Sequence, residues 1–198
     1  TMAEVSQSIY QTEAQDIKRQ AFERLYTIFM TSGPGAKIEY NIDYPKHEFL
    51  EFLIREKDLL IHGSNHPDIH ELEPRQANDR AKQSGNLFGV YAVNNNILPL
   101  FFAIKDRETF YGLAESGYIS DEQGNIIQYC FRIEQLVLQK HPWSDGVVYI
   151  LSKDSFEQQF ENSKPTGEWV SPIAVTPLAV LNVAPNDFPY LGEVEGIV

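Results

Sequence analysis

Between Thr12 and Thr31, apolar side chains recur every four residues at Ile17, Ala21, Leu25 and Phe29, with Phe22 and Ile28 widening the stripe. That period predicts an amphipathic helix. The loop "SGPGAK" ends it with Gly33, Pro34 and Gly35, and lacks the Lys-Ser/Thr spacing of a phosphate-binding P-loop. A second helix is expected from Pro45, a residue suited to a first turn, through Phe49, Phe52 and Leu53 to about Glu56.

After Asp58 the pattern changes. The short runs "LLIH", "FGVYAV", "IIQYCFRI", "GVVYIL", "EWVS" and "IAVTPLAVLNV" are rich in β-branched and aromatic residues and are separated by polar or Gly-containing stretches, so they read as strands. Brief helical candidates lie around Ile97 to Ala103, Glu134 to Leu138 and Asp154 to Phe160. Pro172 and Pro177 imply edge positions, a bulge or a break. There is no internal repeat and no low-complexity segment. The pattern predicts an α+β architecture, with a helical extension over residues 1–57 and a mostly antiparallel, strand-rich domain over 58–198.

Composition narrows the function classes. A chain of 198 residues with 42% apolar and 12% aromatic residues suffices for one substantial core. With 28 acidic against 16 basic side chains the net charge is −12, which repels phosphate backbones, and no basic run overrides it. Nucleic acid is therefore not expected as a partner. The single cysteine, Cys130, excludes an intrachain disulfide and a multi-cysteine metal site, and its apolar surroundings suggest a buried core thiol. The first residues lack the features of a signal peptide, and clusters such as "ILPLFFAI" are too short to span a bilayer. A soluble, cytoplasmic protein with no membrane partner is expected.

His62, His66 and His70 in "LLIHGSNHPDIHELEPR" are spaced like metal ligands on a helix. Pro67 would lie inside that helix at a cost of about 3 kcal/mol, and Gly63-Ser64-Asn65 is turn composition. No metal is expected, and His66 and His70 read as solvated loop. His62 closes an apolar strand, and Gly63 behind it would let a ligand approach the backbone. A purely structural histidine at a strand end fits these residues equally well.

Taken in order, "LLIHGS", "GNLFGVYAVNNNILPLFFAI" and "TGEWVSPIAVTPLAVLNV" resemble the His-Tyr-Glu branch of the ADP-ribosyltransferase superfamily, over roughly residues 58 to 184. The resemblance implies a split antiparallel β-sandwich, preceded here by the N-terminal helices, and NAD as substrate. It implies that His62 of His62-Gly63-Ser64 bonds the adenosine-side ribose while the Gly63 backbone holds the nicotinamide carboxamide. Tyr91 and Phe102, eleven residues apart, would sandwich the nicotinamide ring. Offset stacking needs only an aromatic face, so Phe serves as well as Tyr. Pro99 stands where the family often has a small hydroxyl residue, which removes one bond to the carboxamide. Glu168 of Glu168-Trp169-Val170 would be the catalytic carboxylate, steadying the oxocarbenium character that builds on the ribose.

The arginine-specific branch has Glu or Gln two residues before its catalytic Glu; here that position is Thr166, which disfavours arginine modification. Arg75 and Arg80 in "LEPRQANDRAK" are candidates for the NAD pyrophosphate. The expected activity is transfer of ADP-ribose to a protein or small-molecule acceptor. The alternative is a catalytically silent nucleotide- or protein-binding domain of the same fold. An RNA 2'-phosphotransferase relative is disfavoured by the acidic balance.

Overall fold

Helices come first and strands after in the computed structural model, which describes residues 2–76 and 87–198. Helix α1 spans Met2–Ser32 and is followed by strand β1 (Ala36–Lys37) and helix α2 (Lys46–Lys57). The strand-rich part opens with β2 (Leu60–Ser64), β3 (Arg75–Gln76), β4 (Phe88–Val93) and helix α3 (Leu98–Ile104). Then come β5 (Ala114–Ser120), β6 (Ile126–Glu134), the single-turn α4 (Gln135–Leu138) and β7 (Gly146–Leu151). β8 (Glu157–Glu161), β9 (Lys164–Ser171), β10 (Ala179–Val183) and β11 (Glu195–Ile197) complete an α+β architecture. No helix among the described residues is long and apolar enough to cross a membrane.

Two sheets carry the fold. Eight strands form the larger, in the order β1-β10-β7-β2-β4-β9-β8 with β3 also on β4, and β11-β6-β5 form the smaller. All pairs are antiparallel except β1 with β10 and β11 with β6. The unbroken apolar run of β7 has a physical reason, because both its faces are buried. Val148 and Ile150 join a core with α1, α2 and α3, while Val147, Tyr149 and Leu151 join Leu60 and Val90 on the other face. Phe22 and Phe29 of α1 and Phe49, Leu50 and Leu53 of α2 lie in the same buried cluster as β7 and β10. Burial of each such side chain contributes about 1.5–3 kcal/mol.

Several sequence expectations need correction. α1 starts well before Thr12, and its buried stripe is narrower than expected, since Ile17 and Ile28 are 59% and 61% exposed. Among the described side chains of α1, Ala21, Phe22, Leu25 and Phe29 are buried, and the helix contacts α2 and β1. The helical candidate at Asp154 to Phe160 is instead a turn and then β8, which forms a hairpin with β9. Asn162 and Ser163 both take positive φ at its tip, as a two-residue hairpin of the type I′ kind requires. Pro172 and Pro177 mark a break between β9 and β10.

Cys130 is exposed rather than buried. Along β6, Phe131 and Ile133 face the core, so the two-residue period turns Cys130 and Arg132 outward. Arg132 pairs there with Glu115 of β5. Cys130 is therefore expected to react stoichiometrically with an aromatic disulfide reagent in the absence of denaturant, and a thiol count near zero before unfolding would contradict the placement.

Candidate functional site

The larger sheet opens at one seam. β2 pairs with β7 over its whole length, from Leu60 against Leu151 to Ser64 against Val147, but meets β4 in a single register pair, Ile61 with Val93. Further along β4, the short β3 takes over, pairing Arg75 with Gly89 and Gln76 with Phe88. Between these points the seam is crossed by His62, whose Nδ1 lies 2.7 Å from the Tyr91 carbonyl oxygen.

That contact fixes the histidine's chemistry. A carbonyl only accepts, so Nδ1 must donate, which leaves Nε2 as the acceptor of a neutral imidazole. Burial lowers the proton affinity of the ring, and the nearby Arg107 and Arg75 lower it further, against the raising effect of the Tyr91 bond. His62 is thus suited to receive a hydroxyl donor. His66 is complementary, since the Arg107 guanidinium, a donor only, lies 2.8 Å from its Nε2, which makes that nitrogen an acceptor. Tyr149 steadies the intervening chain by accepting from the Ile69 N–H at 3.1 Å and donating to the His66 carbonyl at 2.6 Å.

Helix α3 lies under the seam. Its first turn is capped by Asn95, whose Oδ1 accepts the N–H groups of Ile97 and Leu98 at 2.8 Å each, and Pro99 occupies the turn where a missing N–H costs nothing. A Cβ on Gly63 would stand 1.9 Å from the Pro99 carbonyl oxygen. The bare face of this glycine therefore receives the helix backbone. Its peptide edge toward β4, beyond the single register pair, still borders the cleft.

Three cavities with shared lining residues lie at and beside the seam. The central one, of about 510 Å³, is lined by His62, Gly63, Tyr91, Pro99, Phe102 and Glu168, among others. That volume suits a small organic ligand. A narrower one of about 220 Å³ shares His62, Tyr91 and Arg107 with it and adds Ser64 and Arg75. A third, of about 590 Å³, shares Phe102 and Glu168 with the centre and adds Tyr118, Lys164 and Thr166. Of the eight site candidates from the sequence, seven thus line the central cavity or its narrow neighbour, and Arg80 lies outside the described residues. Ser64 is buried, and its hydroxyl accepts from the His66 N–H at 3.1 Å, so it shapes the turn. Phe102, 41% exposed, presents its ring at the junction of two cavities.

Glu168 is set by its neighbours. Gly167 takes a φ of +79°, and any Cβ there would meet the Tyr118 hydroxyl at 2.5 Å. The Glu168 N–H donates to Thr166 Oγ1 at 3.2 Å, and Glu168 is in register with Val93 of β4. Burial pushes the Tyr118 phenol upward, and the negative charge of Glu168 adds to that, which places the two groups within electrostatic reach. Among the described residues, no three His, Cys, Asp or Glu side chains converge as metal ligands.

Sequence reasoning missed Lys105, Arg107 and Phe110, which also line the central cavity. The chain leaves α3 so that the Lys105 ammonium sits 4.7 Å from the Phe102 ring centre and 5.0 Å from that of Phe110. Burial lowers Lys105 from its ordinary 10.5 to about 8, with the like charge of Arg107 contributing. Because the folded state holds this proton less tightly than the unfolded chain, the cost to stability is full below about pH 8 and vanishes toward 10.5. The shift corresponds to at most about 3 kcal/mol, reduced by solvent screening and by cation–π attraction of ~0.5–1 kcal/mol per ring. Lys105→Met is therefore expected to stabilise the protein by about 1–2 kcal/mol at pH 7, or ~3–6 °C in Tm, with the gain fading as pH rises past about 8. Thermal unfolding of both proteins from pH 7 to about 10.5 checks this.

Compared with protein-family profiles, with curated proteins and with solved structures, the chain matches none of them.

Proposed function

We propose that the protein is an NAD-dependent ADP-ribosyltransferase of the His-Tyr-Glu type, which breaks the nicotinamide–ribose bond and passes ADP-ribose to a protein or small-molecule acceptor. The observation that supports this reading most is the convergence of His62, Tyr91, Phe102 and Glu168, from four separate elements of the chain, on one cleft. On the same reading, the eight- and three-stranded sheets form an ADP-ribosyltransferase-like split β-sandwich.

Each residue then has a task that its surroundings suit. Neutral His62 accepts a ribose hydroxyl at Nε2, and the Gly63 backbone meets the carboxamide. Tyr91 and Phe102 offer faces to the ring. Arg75 and Arg107, which both line the narrow cavity, supply charge-assisted hydrogen bonds to the pyrophosphate. When the glycosidic bond breaks, its electron pair leaves with nicotinamide and positive charge develops on the ribose, where the Glu168 carboxylate stabilises it. An acceptor nucleophile then forms the new bond to the ribose carbon that nicotinamide left and releases its proton to solvent. The third cavity reaches Glu168 from the side of Tyr118 and Lys164 and offers the acceptor a route.

One observation favours the catalytically silent alternative: Pro99 offers no hydroxyl where the carboxamide would be held, and its carbonyl is packed against Gly63. Incubation with NAD separates the two readings. Nicotinamide release supports the transferase; calorimetric NAD binding without release supports the silent domain; absence of both overturns the proposal.

A further inference from the structure

Lys105 carries a positive charge into a cleft whose walls are largely aromatic and aliphatic. Its ammonium lies over the rings of Phe102, Phe110 and Phe101, at 4.7, 5.0 and 5.3 Å. None of the ion pairs between described residues involves it. Its neighbour Asp106 is turned into its own loop, accepting the Glu108 N–H at 3.0 Å and the Thr109 hydroxyl at 2.8 Å. Glu168 borders the same cavity, but the influences on Lys105 are burial and the like charge of Arg107, both of which oppose its proton. In a chain of net charge −12, the described residues of this cavity set two cations against a single carboxylate.

A ring bearing a carboxylate answers both features, since its face stacks on Phe102 or Tyr91 while its anion meets the ammonium. The carboxamide-bearing pyridinium of NAD is a cation and would set a second positive charge beside Lys105. The corresponding nicotinate ring is a zwitterion, neutral overall, with an anionic group to offer. We propose that the central cavity selects a planar aromatic acid, the nicotinate rather than the nicotinamide form of the dinucleotide, with Lys105 as the counter-ion that reads the carboxylate. For the dinucleotide, this inference rests on the function proposed above.

Calorimetry on the full chain at pH 7 with NAD, nicotinic acid adenine dinucleotide, nicotinamide and nicotinate provides the test. Each acid is expected to bind at least about tenfold more tightly than its amide, and Lys105→Met is expected to remove that preference. Equal or reversed preference in the unaltered protein, which needs no variant, overturns the inference, as does a preference that persists in Lys105→Met. If NAD binds and releases nicotinamide without any preference for the acid, the transferase reading stands and this inference falls. If nicotinate binds in preference to nicotinamide while neither dinucleotide binds, the ring site stands and the dinucleotide reading falls. If none of the four binds, both fall.

Discussion

Gly63→Ala is expected to destabilise the protein by on the order of 3–4 kcal/mol, read as a lower urea midpoint at unchanged slope. The added methyl would lie 1.9 Å from the Pro99 oxygen, 2.7 Å from its carbonyl carbon and 2.9 Å from its Cα, all of them backbone atoms that no rotamer change can withdraw. Only separation of α3 from β2 relieves the contact, and α3 is also fixed at its far end. There a Cβ on Gly146 of β7 would stand 2.0 Å from the Ala103 oxygen. Two glycines on adjacent strands thus let the helix rest on the sheet at backbone distance, four residues apart along α3. Gly192→Ala is the control, because its Cβ would enter open space and its backbone is not left-handed; a change within about ±0.5 kcal/mol is expected. A Gly63→Ala protein as stable as the control would show that α3 does not seat on β2 as described.

The same glycine marks where sequence reading stops. Strands with an alternating or continuous apolar pattern, such as β2, β4 and β7, were legible because a buried face leaves its period in the sequence. β5, "AESGYIS", was not, since its only large apolar side chains are Tyr118 and Ile119, both outside the core, with Ile119 56% exposed. Cys130 was misjudged for a related reason: the run "IIQYCFRI" is apolar enough to look buried throughout, yet it belongs to a sheet with one dry face. Motif order singles out His62, Tyr91, Phe102 and Glu168, and all four line the central cavity. Lys105 and Arg107 left no such mark. Their place depends on how the chain leaves α3, and a cation after "LFFAI" reads as solvated surface until the Phe102 and Phe110 rings are seen beneath it.

On the transferase reading, Glu168→Gln is expected to slow nicotinamide release by about 10²–10³-fold, or ~2.7–4 kcal/mol of transition-state stabilisation, the scale seen when one preorganised electrostatic group is removed. The substitution keeps the side chain's shape and its ability to accept a hydrogen bond, so Kd for NAD should change by no more than a few-fold. The charge is lost and one acceptor oxygen becomes an NH2 donor, and charge matters most when the ribose becomes cationic. Local geometry supports a clean comparison. Gly167 in its left-handed conformation, the bond from the Glu168 N–H to Thr166 Oγ1 and the register with Val93 all involve backbone that Gln leaves in place. Single-turnover release of nicotinamide, measured beside calorimetric binding, separates the two quantities. Equal turnover in the variant would remove Glu168 from the mechanism even if NAD is cleaved, and would direct attention to the Tyr118 side of the third cavity. A large loss of binding with turnover intact at saturation would instead make Glu168 a ribose-holding residue, acting equally on ground state and transition state.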